Sequence, residues 1–316
     1  MDSTELDVVI VGGGSAGLSA ALMLGRSRRR VLVVDGGAPR NRVAGHMHGV
    51  LGRDHSSPLD LLASGRAELE RYDGVTVVSD EVATAAHLDE GGPAFEVRLA
   101  SGARHTARRI LVATGLTDRL PDVPGLEPHW GRGVVSCPYC DGWEVRDRRI
   151  AVIPTSAANA HQAQLLRQLS PHVVFHAAGM VLPPAARAGL TARGIELDER
   201  PVAEVVTGDD GALRGIRYDD GSEREVDAIF VAPRPEPNDE LLRSLGARRM
   251  RNDGVDWVIA DEDGRTSVRG LWAIGNVVSA RATVPMAMAA GNAAGAALNG
   301  DLLDEDIRIA VAAAAG

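Results

Sequence analysis

The sequence predicts an α/β protein of two layered domains, one inserted into the other, on three observations. Residues 7–11 are a short β-branched run, followed by Gly12, Gly14 and Gly17, a helix of small and apolar residues (16–25) and a second strand that ends at Asp35. The segment 94–114 alternates apolar and polar residues as a hairpin running into a strand, and 211–232 repeats that pattern further along the chain. Pro-rich stretches at 120–128 and 232–239 mark two seams. Together these predict two Rossmann-like domains with three layers (ββα). One domain is discontinuous, 1–116 and 246–316, and the other, 117–245, lies between its halves.

The first strand, turn and helix carry a ligand signature. In G-x-G-x-x-G, Gly12 permits the tight turn, Gly14 lets a pyrophosphate approach the backbone, and Gly17 lets helix and strand pack closely. The helix N-terminus then offers free N–H groups and a partial positive charge to phosphates. Asp35 follows Gly17 by 18 residues, the distance at which an acid bonds a ribose hydroxyl. A dinucleotide is the expected ligand.

Composition narrows the remaining classes. The 316 residues are 45% apolar but only 3% aromatic, so Ala, Val, Leu and Ile must build the cores. The formal charge is −9 and every basic residue is arginine, with no lysine. An acidic chain without basic blocks is a poor partner for nucleic acid. No stretch reaches the roughly 18 apolar residues of a membrane span. The acidic start, "MDSTELD", lacks the positive charge of a signal peptide. A cytoplasmic protein is the expectation.

The two cysteines, Cys137 and Cys140, stand in "SCPYCDGWE" with Asp141 directly after the second. In the cytosol such a pair is more often catalytic or metal-binding than a staple. Zinc asks for four ligands, and His129 and His161 offer no familiar spacing. A redox pair is the better reading, in a short turn or helix over 138–143.

Two further segments complete a resemblance. Residues 108–115 form a strand ending in Ala113, Thr114 and Gly115, and 268–298 give a strand, a Gly275–Asn276 turn and an Ala-rich helix. With the first fingerprint, this layout resembles the flavoprotein disulfide reductases, and the Cys-x-x-Cys-Asp motif resembles the low-molecular-weight thioredoxin reductases. The resemblance implies FAD in the discontinuous domain. It would be held by Gly12, Gly14, Ser15, Ala16, Gly17, Asp35, Gly36, Asn41, Arg42, Val82, Ala113, Thr114, Gly115, Gly275, Asn276, Thr283 and Val284. Asn276 takes the place of an Asp that reaches the ribityl chain. The resemblance also implies roles: Cys140 faces the flavin, Cys137 exchanges with substrate, and Asp141 shuttles a proton. It implies a homodimer.

One expected part is missing. After the strand 150–153, NADPH users carry a second glycine fingerprint, but here Pro154, Ser156 and Asn159 occupy the glycine places. A Cβ at each would crowd a pyrophosphate, and Pro154 lacks a donor N–H. Where a basic cluster would hold the 2′-phosphate, the chain offers His176 and no arginine. The inserted domain is therefore expected to be a degenerate NAD(P)H-type domain, with NADPH absent. The chain then resembles the bacterial and fungal dithiol oxidases that close disulfides in compounds such as holomycin and gliotoxin. This implies a small dithiol substrate and O2 as acceptor. The alternative is an NADPH- or ferredoxin-dependent disulfide reductase, because those oxidases usually carry His where this chain has Asp141. The loop 39–58 should run along the flavin, with His46 and His48 as candidate bases. The helix 286–298, apolar all round, should be buried or at a subunit contact, and 311–316 should fray.

Overall fold

The computed structural model describes residues 6–89 and 94–315. Two compact units emerge, and their membership refines the expected seams. The first comprises the chain up to Arg42, Leu59–Thr117 and the chain from Pro235 onward; the second comprises Val43–Pro58 and Asp118–Arg234.

The chain opens with β1 (Leu6–Val11), α1 (Ser15–Arg26), β2 (Val31–Val34), α2 (Pro58–Leu69) and β3 (Val75–Val78). β4 (Val82–His87), β5 (Phe95–Leu99) and β6 (Arg104–Val112) follow. The strands β3-β2-β1-β6 are parallel neighbours, with Val9 opposite Leu32 and Ile110. β5 and β4 continue from β6 as antiparallel partners, the expected hairpin. β7 (Leu116–Arg119) carries the chain out of this unit.

The second unit holds β8 (Val134–Val135), α3 (Pro138–Asp141), β9 (Ile150–Ile153), α4 (Asn159–Leu166), β10 (Val173–His176), α5 (Pro184–Ala192) and β11 (Glu196–Asp198). β12 (Val202–Thr207), β13 (Leu213–Tyr218) and β14 (Glu223–Glu225) form an antiparallel meander, and β15 (Ala228–Val231) returns to the parallel sheet. That sheet runs β11-β10-β9-β15-β8. The echo between 94–114 and 211–232 is seen in the structure: each holds an antiparallel pair, β5–β6 and β13–β14, and each ends in a strand of a parallel sheet, β6 and β15.

β16 (Arg234–Pro237) pairs with β7. α6 (Glu240–Ser244), the hairpin β17 (Arg249–Asn252) and β18 (Val255–Val258), β19 (Leu271–Ala273) and α7 (Val284–Ala315) complete the first unit. Its second segment begins at Pro235 rather than at 246. The reason is burial: Leu242 and Ala247 pack with Val9, Val97 and Ile110 in that unit's core.

The alternation of β1 explains the layering. Val8 and Ile10 face Ala20, Leu24 and Leu298 on the helical side, whereas Val9 and Val11 face Phe95 and Val97 of the hairpin layer. Each fully buried Leu is worth about 2 kcal/mol of burial. In α7 only one face is buried, at Gly291, Ala294, Gly295, Leu298 and Leu302, so the helix is not apolar-packed all round. Residues 311–315, expected to fray, continue the helix with exposed side chains. Arg109 (2% exposed) on β6 ties to Asp301 (2.6 Å) and Glu305 (2.9 Å) of α7. Arg108 pairs with Asp7 (3.1 Å) and Asp306 (2.7 Å). No helix among the described residues is long and apolar enough to cross a membrane.

α1 and α7 touch backbone to backbone. A Cβ on Gly291 would stand 2.1 Å from the Ala16 carbonyl oxygen. Gly291→Ala must therefore push the helices apart, and the expected loss is about 1–3 kcal/mol of unfolding free energy. Denaturant titration checks it; an unchanged midpoint would refute the close packing.

Candidate active site

The first unit builds a cradle at the C-terminal ends of β1, β2 and β6, where doubly wound sheets bind ligands. Gly12 has φ +106°, and a Cβ there would strike the Ala113 carbonyl at 2.4 Å. A Cβ on Gly17 would lie 1.9 Å from the Gly12 carbonyl. Gly14 is different, since an added Cβ meets nothing within 4 Å. The space over Gly14 is therefore open, while Gly12 and Gly17 are closely packed. Gly14 is also the N-cap of α1, with no side-chain hydrogen bond at the cap, so the amides at Ser15, Ala16 and Gly17 have no intrahelical acceptor.

The other flavin residues read from the sequence divide into those gathered here and those placed elsewhere. Gly275 has φ +72°, and a Cβ there would stand 3.1 Å from the Ala16 methyl. Asp35 ends β2, accepts from the Gly37 amide (3.2 Å) and pairs with Arg66 of α2. With Gly36 beside it, Asp35 borders a cleft of about 410 Å³ lined also by Arg66, Leu69, Val77 and Ser79. Asn276 donates its amide to the carbonyls of Ser279 (2.8 Å) and Ala282 (3.0 Å), two bonds that an Asp could not make. This leaves its Oδ1 as acceptor for a ligand hydroxyl. Thr283 and Val284 stand at the start of α7, and the Thr283 carbonyl accepts from the Ala287 amide (2.8 Å). Val82 opens β4, where it pairs with Leu99 and packs in the hairpin-side core. Arg42 is exposed and donates to the Pro39 carbonyl (3.3 Å), with Asn41 beside it.

Two residues of this unit escaped sequence reasoning. Asn238 stitches the Ala113–Gly115 turn, accepting from Thr114 Oγ1 at its carbonyl (2.6 Å), donating Nδ2 to the Thr114 carbonyl (3.0 Å) and its amide to Gly115 (3.0 Å). Arg66 answers Asp35. Each partnership joins segments far apart in the chain, and no local pattern signals it.

The second unit holds the redox motif. Cys137 and Cys140 are joined in a disulfide, with Cα atoms 5.2 Å apart. Cys137 is the N-cap of α3, and its carbonyl accepts from the amides of Cys140 and Asp141, both at 3.0 Å. The expected short helix is present. Pro138 suits its first turn because the missing N–H has no intrahelical partner there. A cleft of about 200 Å³ beside it is lined by Pro138, Tyr139, Trp143, Leu165, Gln168 and Leu169. Asp141 is half-buried. Burial first, and the charge of Glu144 second, push its carboxyl up to about 6, against the pull of His48.

Of the loop 39–58, the residues Val43–Pro58 group with this second unit. It closes on itself through Met47 N–H to the Ser56 carbonyl (2.9 Å) and His55 N–H to the Met47 carbonyl (3.1 Å), with Met47 and Val50 buried. His48 sets Nδ1 3.4 Å from Asp54 and Nε2 3.4 Å from Glu144. His46 is exposed and meets His55 ring edge to ring at 6.4 Å. Glu144 carried no assigned role in the sequence reading.

The loop after β9 differs in kind from that after β1. Asn159, in the third glycine place, turns its Oδ1 back to accept from the amides of Thr155 (2.9 Å) and Ser156 (3.0 Å). Thr155 Oγ1 donates to the Ala232 carbonyl (3.0 Å). At the end of β10, His176 is 2% exposed, with neither ring nitrogen hydrogen-bonded, and burial pushes its imidazole down to about 4. The nearby arginines are committed, Arg200 to Asp198 and Arg224 to Glu196.

Comparison with known proteins accords with these two sites. The description "Pyridine nucleotide-disulphide oxidoreductase" matches residues 6–291. Thioredoxin reductase tcpT of Claviceps purpurea is 31% identical, with 95% of each chain covered. The crystal structure of HlmI superposes with a TM-score of 0.93 at 44% identity, over 98% of this chain and 96% of that one. An oxidoreductase from Agrobacterium tumefaciens superposes at 0.88 with 34% identity, over 95% and 99%. A family match that spans both the open glycine cradle and the Cys137–Cys140 motif places the chain among the pyridine nucleotide-disulphide oxidoreductases, as a thioredoxin reductase-like flavoprotein enzyme.

Proposed function

We propose that the protein is an FAD-dependent dithiol oxidase that closes a disulfide in a small apolar dithiol, with O2 as electron acceptor. The observation that carries this reading is Asn159. Its side chain takes up the amides of Thr155 and Ser156, which a nicotinamide coenzyme's pyrophosphate would need, and Pro154 offers none. A neutral His176 stands where a 2′-phosphate would require cations. The flavin cradle keeps its open Gly14. Reducing power then arrives through sulfur.

A substrate thiolate attacks one sulfur of the Cys137–Cys140 disulfide, giving a mixed disulfide and one free cysteine. The second substrate thiolate attacks the substrate sulfur of that bond, so the substrate leaves as a disulfide and both cysteines are thiols. Two electrons and two protons have moved to the enzyme. FAD, which the turn of Gly12, Gly14 and Gly17 with Asp35 would hold, would supply the two-electron route from the cysteine pair to O2, with hydrogen peroxide as the reduced product. Cys137 is the exchanging sulfur and Cys140 the one that serves the flavin. Asp141 as carboxylate accepts a substrate thiol proton and returns it to the leaving cysteine. The cleft beside Tyr139 (81% exposed) and Trp143 (61% exposed) suits an apolar substrate body. The proposal includes a homodimer. Leu303, Ile307 and Val311 form an exposed stripe with a spacing of four along α7, apolar surface that a second copy would cover.

Under air, a small dithiol should yield one peroxide per disulfide formed. Cys137→Ser and Cys140→Ser should each lower kcat/KM by about 10³-fold or more. NADPH added without air should leave the yellow flavin oxidised; rapid bleaching would sink the oxidase reading in favour of a reductase. The Asp141 base must be ionised to act, so kcat/KM should rise as pH rises through about 6. Asp141→Asn should erase that limb and slow the reaction about 10²-fold or more. Light scattering should give twice the chain mass; a monomer at working concentration would remove the second copy from the proposal.

A further inference from the structure

The loop 43–58 has no helix or strand in its middle, yet it is built. Its own backbone bonds and the buried Met47 and Val50 hold it within the second unit. Its product is the placement of one imidazole. The His48 side chain is 13% exposed and lies between two carboxylates, Asp54 on Nδ1 and Glu144 on Nε2, each at 3.4 Å. Asp54 is itself fixed, since its Oδ1 accepts the Gly49 amide at 3.0 Å, and Gly49 has φ +71°. His55 meets the His48 ring edge-on, with centroids 4.5 Å apart. Glu144 follows Asp141 by three residues and stands just past the turn that carries it.

We propose that His48, held between Asp54 and Glu144, is a positioning residue for the Asp141–Glu144 segment during thiol–disulfide exchange, and that the loop 43–58 exists to place it. This rests on the reading that Asp141 handles the exchange proton. The charged groups that bear on Asp141 are Glu144 on its own segment and His48 from the loop, with Asp54 and His55 around His48 and His46 further out beside His55. Glu144 disfavours the Asp141 carboxylate and His48 favours it. The two act on Asp141 with opposite sign while their side chains stand 3.4 Å apart. Asp54 and His55, both exposed, connect the group to solvent.

That opposition supplies a test that damage to the fold cannot imitate. The oxidised enzyme is reduced by dithiothreitol without air, and the free cysteines are trapped by alkylation and counted by mass, from pH 5 to 8. This readout needs no oxygen and no natural substrate. The wild type should show a limb near the Asp141 value. His48→Gln keeps polar contacts but removes the imidazole that favours the Asp141 carboxylate, and the limb should move up by about half a pH unit. Glu144→Gln should move it down by a similar amount. Asp54→Asn, which keeps an acceptor for the Gly49 amide, should move it in the same direction as His48→Gln, by less. Opposite displacements support the inference. Limbs that stay put, or move the same way in His48→Gln and Glu144→Gln, overturn it. If the displacements appear while no peroxide forms under air, the oxidase reading fails and this inference stands.

Discussion

The hydrogen-bond donors at a strand-to-helix turn decide what each unit of this protein can hold. A turn that leaves its amides facing open space can take an anion, because the amides need an acceptor and the chain supplies none. The turn after β1 is of this kind: Gly14 has nothing within 4 Å of an added Cβ, and the N-terminus of α1 has no side-chain cap. The turn after β9 has the same scaffold, a parallel strand leading to a helix, but Asn159 supplies the acceptor from within. The two strand-to-helix turns thus differ in the partner of two amides.

The same contrast reconciles the comparisons with the local geometry. The relatives that share the whole chain include proteins named thioredoxin reductases, and the fold and the cysteine pair agree with them. Resemblance of that breadth follows from the sheets, whose cores of Val, Ile and Ala need no ligand to form. The second sheet persists as the base on which α3 presents its disulfide, whether or not a coenzyme binds at the far end of β9.

Much of this was legible along the chain, for physical reasons. A glycine fingerprint, an alternating hairpin and a Cys-x-x-Cys are local, because the turn, the pleat and the disulfide each involve residues close in sequence. Gly12, Gly14, Gly17 and Gly275 therefore fell where the motifs put them. What stayed hidden joins distant segments. Asn238 holds Thr114 from 124 positions away, and Arg66 meets Asp35 across 31. The loop 43–58 follows Asp35 closely in sequence, yet it groups with the second unit, where Met47 and Val50 are buried, and no local pattern signals that membership. The second seam lay earlier than expected because Leu242 is a core residue, a fact that depends on the sheet it packs against. Glu144 was in view within the redox motif but acquired meaning only with His48 opposite.

The ion pairs between β6 and α7 bear on how the chain tolerates shortening. Arg109 is buried with Asp301 and Glu305 as its counter-charges, and β6 ends in the turn that faces the cradle. A buried guanidinium deprived of its carboxylates is far more harmful than an exposed methyl lost from the helix end. Trimming the alanines beyond Val311 should therefore be harmless, whereas a cut that removes Asp301 and Glu305 would strand a cation inside the sheet and loosen the strand leading to the flavin site. The boundary between dispensable and essential helix lies at the last carboxylate Arg109 needs.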